Sequence, residues 1–126
     1  MHKQILTDLH GSLTRFKEAQ PNEQHRYVEE IRRCFNRCKL DDKETLTEMT
    51  DVFYTFRQKH RTLDWSPVDS VVQERVLKTI DRYLNTRKSA LEYLQESYEI
   101  TPLFITKYLV RKYGIERKDI RSVELV

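Results

Sequence analysis

Apolar residues recur at three- and four-residue intervals along most of the chain, the spacing that gathers them on one side of an α-helix. Ile5, Leu6, Leu9, Leu13 and Phe16 form the first stripe and predict a helix over residues 3–18. Gly11 weakens that helix by about 1 kcal/mol relative to alanine, and Gln20-Pro21-Asn22 ends it. Tyr27, Val28, Ile31, Cys34, Phe35 and Cys38 form the second stripe, over about 22–38. In the third, Leu46, Met49, Phe53, Phe56 and His60 alternate as in a coiled-coil seam. The run is short, so it predicts a contact inside a bundle rather than a dimer zipper. Asp41 as cap, with Glu44 three residues later, opens this helix, which extends to about residue 61.

Leu63, Asp64 and Trp65 form the next connection, and the single tryptophan is expected to anchor it against the core. Ser66 as N-cap, Pro67 at the first helical position and Asp69 two residues on predict a clear helix start. Its stripe is Val68, Val72, Val76, Ile80, Tyr83 and Leu84; five polar residues, Asn85 to Ser89, follow before Ala90, Leu91, Leu94 and Tyr98 resume the pattern. One long helix or two shorter ones fit, and the polar interruption favours two, meeting near Asn85–Arg87. The last helix is the best punctuated, with Thr101 as cap, Pro102 at its first position and Gly114 at the left-handed site beyond its end. The tail, 115–126, predicts a short helical turn followed by an extended end.

The expected fold is therefore all-α, a single-domain bundle of five or six amphipathic helices over residues 1–126. Composition agrees: 38% apolar and 34% charged residues require strongly two-faced helices, and two Gly with three Pro are too few for the turns of an all-β chain. No apolar run approaches the roughly 18 residues needed to cross a bilayer, and the start of the chain lacks a signal-peptide core. The expected location is cytoplasmic, with no membrane partner. The net charge of +3 is uneven: residues 1–40 carry eight Lys/Arg against five Asp/Glu, and residues 101–126 six against three. Basic ends of this size assist anion binding but fall well short of a dedicated nucleic-acid coat.

The residues for catalysis are not arranged in any recognised pattern. There is no glycine-rich phosphate loop, no His-Glu-x-x-His, no Gly-x-Ser-x-Gly and no Cys-x-x-Cys. Cys34 and Cys38 are helical neighbours on an apolar stripe, and a structural zinc site would need a second pair. They are expected to be buried free thiols. His60 continues a core seam. Glu44, Glu48 and Asp51 are expected to form a solvated acidic face, because hard cations need oxygens from several elements. No catalytic residue, metal or cofactor is expected.

Binding remains. Residues 91–113 resemble the helix-turn-helix family, in which a short helix and a tight turn precede a recognition helix that enters the major groove. Leu94, Tyr98, Ile100, Ile105 and Tyr108 fall where that family packs, and Thr101-Pro102 matches its common opening of the recognition helix. The resemblance implies that Leu103, Phe104, Thr106, Lys107 and Arg111 face or flank DNA. The chain departs from it at Gln95, where a small residue is usual, and at Glu99, where the turn usually has glycine.

On a helical wheel Phe104, Lys107, Tyr108 and Arg111 share one face, a basic and aromatic edge suited to a partner. Arg26, Arg33 and Arg37 cluster on the outer face of the second helix with Glu30 between them, either a solvated face with internal ion pairs or a phosphate-contacting stripe. The first-ranked expectation is a small non-enzymatic adaptor or regulatory protein that docks a protein partner, a second copy of the chain among the candidates. The alternative is a nucleic-acid-binding regulator that uses 91–114.

Overall fold

Each apolar stripe becomes a helix in the computed structural model, which describes residues 2–116 and 118–120. The helices are α1 (His2–Glu18), α2 (Gln24–Arg37), α3 (Lys43–Lys59), α4 (Ser66–Thr86), α5 (Ala90–Ser97) and α6 (Leu103–Tyr113). A single 3₁₀ turn, Pro21–Glu23, separates α1 from α2, and no strand occurs among the described residues. The architecture is all-α. The chain divides into two compact units, Met1–Val76 and Leu77–Val126, with α4 continuous through the division.

In the first unit α1 packs against both α2 and α3. Its core takes Leu9, Leu13 and Phe16 from α1, Ile31 and Phe35 from α2, Met49 and Phe53 from α3, and Val68 and Val72 from the start of α4, all fully buried or nearly so. Burial of each large side chain contributes about 1.5–3 kcal/mol. Trp65 is buried as its position between two stripes predicts, tilted against Phe16 at 5.1 Å and edge-on to Phe56 at 5.7 Å. Polar groups tie the same helices together at the rim. Glu30 of α2 accepts from Ser12 (3.0 Å) and from the Arg15 guanidinium (2.9 Å), both on α1. Arg57 of α3 reaches Asp69 of α4 at 2.7 Å, and the buried Arg75 donates to the carbonyl of Cys38 just past α2.

The caps of α3 and α4 differ from the sequence expectation by one or two residues. Asp42, not Asp41, caps α3: its carboxylate accepts from the Thr45 backbone N–H (3.0 Å) and hydroxyl (2.7 Å). Two adjacent aspartates leave the register open in sequence, and Asp42 prevails because Thr45 is then three residues on and its methyl is buried. At α4 the capping carboxylate is Asp64, which accepts from the Ser66 N–H (3.0 Å) and hydroxyl (2.7 Å). Ser66 is already helical, because the Trp65 carbonyl accepts the first helical bond, from Asp69 N–H at 2.8 Å.

In the second unit the polar interruption does separate two helices. α4 stops at Thr86, and Ser89 caps α5 by accepting from the Glu92 N–H at 3.1 Å. Among the described residues of this unit, Leu84, Ala90, Leu94, Ile105, Leu109 and Ile120 are the buried apolar ones. Thr101 does not cap α6; its hydroxyl turns back and donates to the Ser97 carbonyl at 2.6 Å, which also accepts from the Ile100 (3.1 Å) and Thr101 (2.9 Å) backbone N–H groups at the end of α5. Pro102 takes the cap position with no side-chain bond. Gly114 ends α6 as expected, at φ 64°, with its N–H and that of Ile115 both donated to the Val110 carbonyl. A helical turn at 118–120 follows, and the extended end expected after it lies outside the described residues.

Replacing Asp42 by alanine should cost about 1 kcal/mol of stability in urea denaturation, the usual worth of an N-cap. Asp41→Ala should change stability by less than about 0.5 kcal/mol, as for an ordinary surface site. Equal losses would return the cap to Asp41.

Candidate functional site

α6 buries Ile105, Thr106 and Leu109 and turns Leu103, Phe104, Lys107 and Arg111 the other way. Lys107 and Arg111 are exposed, make no ion pair among the described residues and lie one helical turn apart. Phe104 is half-buried beside them, and Leu103, at 62% exposure, begins the same line. Ile100, in the turn before the helix, is 83% exposed. The outward edge is therefore more apolar at its N-terminal end than the sequence suggested, and basic at its C-terminal end.

Tyr108 leaves that edge. Its hydroxyl donates to Asp81 of α4 at 2.5 Å, and the same carboxylate accepts from Lys112 (2.9 Å) and from the Tyr113 hydroxyl (2.9 Å). Lys112 also lies over the Tyr108 and Tyr113 rings at 5.4 and 5.6 Å. Partial burial pushes the Asp81 carboxyl up, but the bonds from Tyr108, Lys112 and Tyr113 outweigh it and hold the group below the ordinary carboxylate value. The Tyr108 and Asp81 bonds in turn raise Lys112 above the usual lysine range. Tyr108 thus fastens α6 to α4 instead of offering a face to a partner. No sequence pattern marks Asp81, because its three donors lie 27 to 32 residues further on.

The helix-turn-helix resemblance is altered at several positions. Thr106, expected near DNA, is buried, and Ile100, expected in the packing, is exposed. Gln95 is half-buried and donates to the Asp119 carbonyl at 3.3 Å, so its length ties down the turn at 118–120. Glu99 lies exposed in the turn, and only Gly114 has a positive φ among the described residues, so the glycine-dependent turn of that family is not formed there.

Arg26, Arg33 and Arg37 belong to the first unit. Arg26 and Arg33 are exposed and make no ion pair among the described residues, whereas Arg37 is bound to Asp8 of α1 at 2.7 Å. Glu30, expected between the arginines, reaches across to α1 instead. The three arginines are therefore not a uniform stripe. Cys34 and Cys38 are buried free thiols, and burial pushes both above the usual thiol value. A shallow groove of about 500 Å³ between α1 and α3 gathers His10, Lys17, Lys59 and His60 around Phe56. Both lysines occupy last turns, where an ammonium offsets the helix-end carbonyls, so their places follow from the helices themselves. No three His, Cys, Asp or Glu among the described residues gather closely enough to hold a metal ion, and no described helix is long and apolar enough to cross a membrane.

No protein-family model matches the chain, and neither a curated protein nor a solved structure shows significant similarity to it.

Because the folded carboxyl of Asp81 is depressed, its stabilisation is complete above the unfolded value near 3.8 and is lost as pH falls through the folded value. Asp81→Ala should destabilise the second unit by about 2 kcal/mol at pH 7, through loss of charge-assisted bonds. It should also flatten the acid limb of stability below about pH 4. Amide exchange in α6 as a function of pH checks both; an unchanged acid limb would remove Asp81 as its source.

Proposed function

We propose that this is a non-catalytic docking protein whose working surface is the outward edge of α6, residues 100–111. The observation that carries the proposal is the pairing of two exposed aliphatic side chains, Ile100 and Leu103, with two exposed cations, Lys107 and Arg111. Scattered exposed apolar residues are ordinary. Leu103 lies on α6 away from its buried face and Ile100 lies exposed in the turn before it, so the core does not require them. An apolar anchor flanked by charge is the usual composition of a protein-binding patch, with the apolar centre supplying affinity and the charges supplying orientation.

A nucleic-acid partner is favoured by Lys107 and Arg111 alone. Glu99, exposed at the other end of the edge, opposes phosphate, and Leu103 and Ile100 have no part in contacts to a backbone.

Affinity capture from the native cell, with the protein and its Leu103→Asp variant in parallel, separates the two readings. Docking predicts a stoichiometric protein complex, homomeric or heteromeric, that the variant loses. A nucleic-acid regulator predicts a mobility shift that weakens steeply with salt, disappears in Lys107→Glu/Arg111→Glu and survives Leu103→Asp. That second outcome would overturn the docking proposal.

A further inference from the structure

We propose that the groove between α1 and α3 binds a small amphipathic anion, an aliphatic carboxylate; the site lies wholly in the first unit and uses no residue of α6. Its floor is apolar. The Phe56 ring meets the His10 imidazole of α1 edge-on at 5.5 Å and the His60 imidazole, at the end of α3, at 4.7 Å. Val52 lines the groove one turn before Phe56. The volume is about 500 Å³, within the range that holds a small ligand.

The cations gather at one end of this groove. Phe16 packs on Trp65, and the Trp65 indole donates to the His60 carbonyl, so the end of α1 lies beside the end of α3. Lys17, next to Phe16, and Lys59, next to His60, therefore line the same end. Helix-end charge explains one lysine in each last turn. It does not explain why both line the groove while making no ion pair among the described residues. Arg15 and Arg57, two residues before them, are each held by a carboxylate, Glu30 and Asp69. Asp51 is the one acid among the described lining residues. It sits eight residues before Lys59, about 12 Å along the helix, beyond the screening length of roughly 8 Å at physiological salt. Two lysines and two imidazoles against one remote carboxylate set the charge of the occupant. Val52 and Phe56 set the rest of it, an aliphatic body that runs from a carboxylate held at the lysine end.

Titration of the whole chain with decanoate below its micelle-forming concentration, followed by residue-resolved amide NMR shifts, tests this. Saturable shifts should centre on Thr14, Val52, Thr55 and Phe56. Decanol, with the same body and no charge, should bind about tenfold more weakly, and decyltrimethylammonium should not compete. Lys17→Gln and Lys59→Gln should each weaken decanoate about fivefold, the worth of one partly exposed ion pair. Thr55 is exposed in the lining, so Thr55→Glu should abolish binding by repulsion whereas Thr55→Gln retains it. Circular dichroism confirms that these variants remain helical. Shifts that do not saturate, shifts centred on α6, or equal binding of decanol and decanoate overturn the proposal. Unchanged decanoate affinity in both lysine variants overturns it as well. Leu103→Asp should leave decanoate binding as it is, so the anion site and the docking reading of α6 stand or fall separately.

Discussion

The first unit depends on where Trp65 is held. Its indole contacts Phe16 of α1 and Phe53 and Phe56 of α3, at centroid distances between 5.1 and 6.1 Å. Aromatic pairs of this kind contribute about 0.5–1.5 kcal/mol beyond simple burial. The indole N–H donates to the His60 carbonyl at the end of α3 (2.8 Å), and the Trp65 carbonyl accepts the first helical bond of α4. One residue in a connection thus finishes one helix, begins the next and closes both over a third. The Arg57–Asp69 pair spans the same corner outside, where solvent screening leaves it a smaller share.

Among its described residues the second unit has a carboxylate as its most connected polar group. α5 has only eight residues, too short to be stable alone, and few large side chains among the described residues are buried around it. Asp81 compensates by collecting three donors from α6, so the rotation of α6 about its axis is set by hydrogen bonds as well as by Ile105 and Leu109. That rotation has a functional consequence. It draws Tyr108 inward and leaves Leu103, Phe104, Lys107 and Arg111 outward, converting a basic and aromatic face into one with an apolar end and a basic end. The docking proposal depends on this division, since a stacking surface for bases would have used Tyr108.

Polar residues were the least legible part of the chain. Thr101 fits a helix-turn-helix plan as a cap and Gln95 departs from it, yet neither follows that plan: their side chains bond to Ser97 and Asp119. Glu30 has arginine neighbours on its own helix and bonds to α1 instead. In each case several partners lie within reach of a flexible side chain, and the choice depends on which neighbouring element arrives. Four of the seven candidate binding residues, Lys107, Arg111, Arg26 and Arg33, remain exposed with no ion pair among the described residues, and Phe104 is half-exposed. Tyr108 and Arg37 are engaged within the protein.

Sequence by itself determined the helices, their buried faces, the anchoring role of Trp65 and the end of α6 at Gly114, and it favoured the break between α4 and α5 while one long helix also fitted. These follow from apolar periodicity, from polar interruption and from the one residue type that adopts a positive φ without strain, all of which act within a few positions. Only tertiary structure decided which of two neighbouring aspartates caps α3, and that Asp81 captures Tyr108, Lys112 and Tyr113. Those outcomes depend on distances between groups far apart in the chain, or on the burial of one nearby methyl, and periodicity carries no information about either.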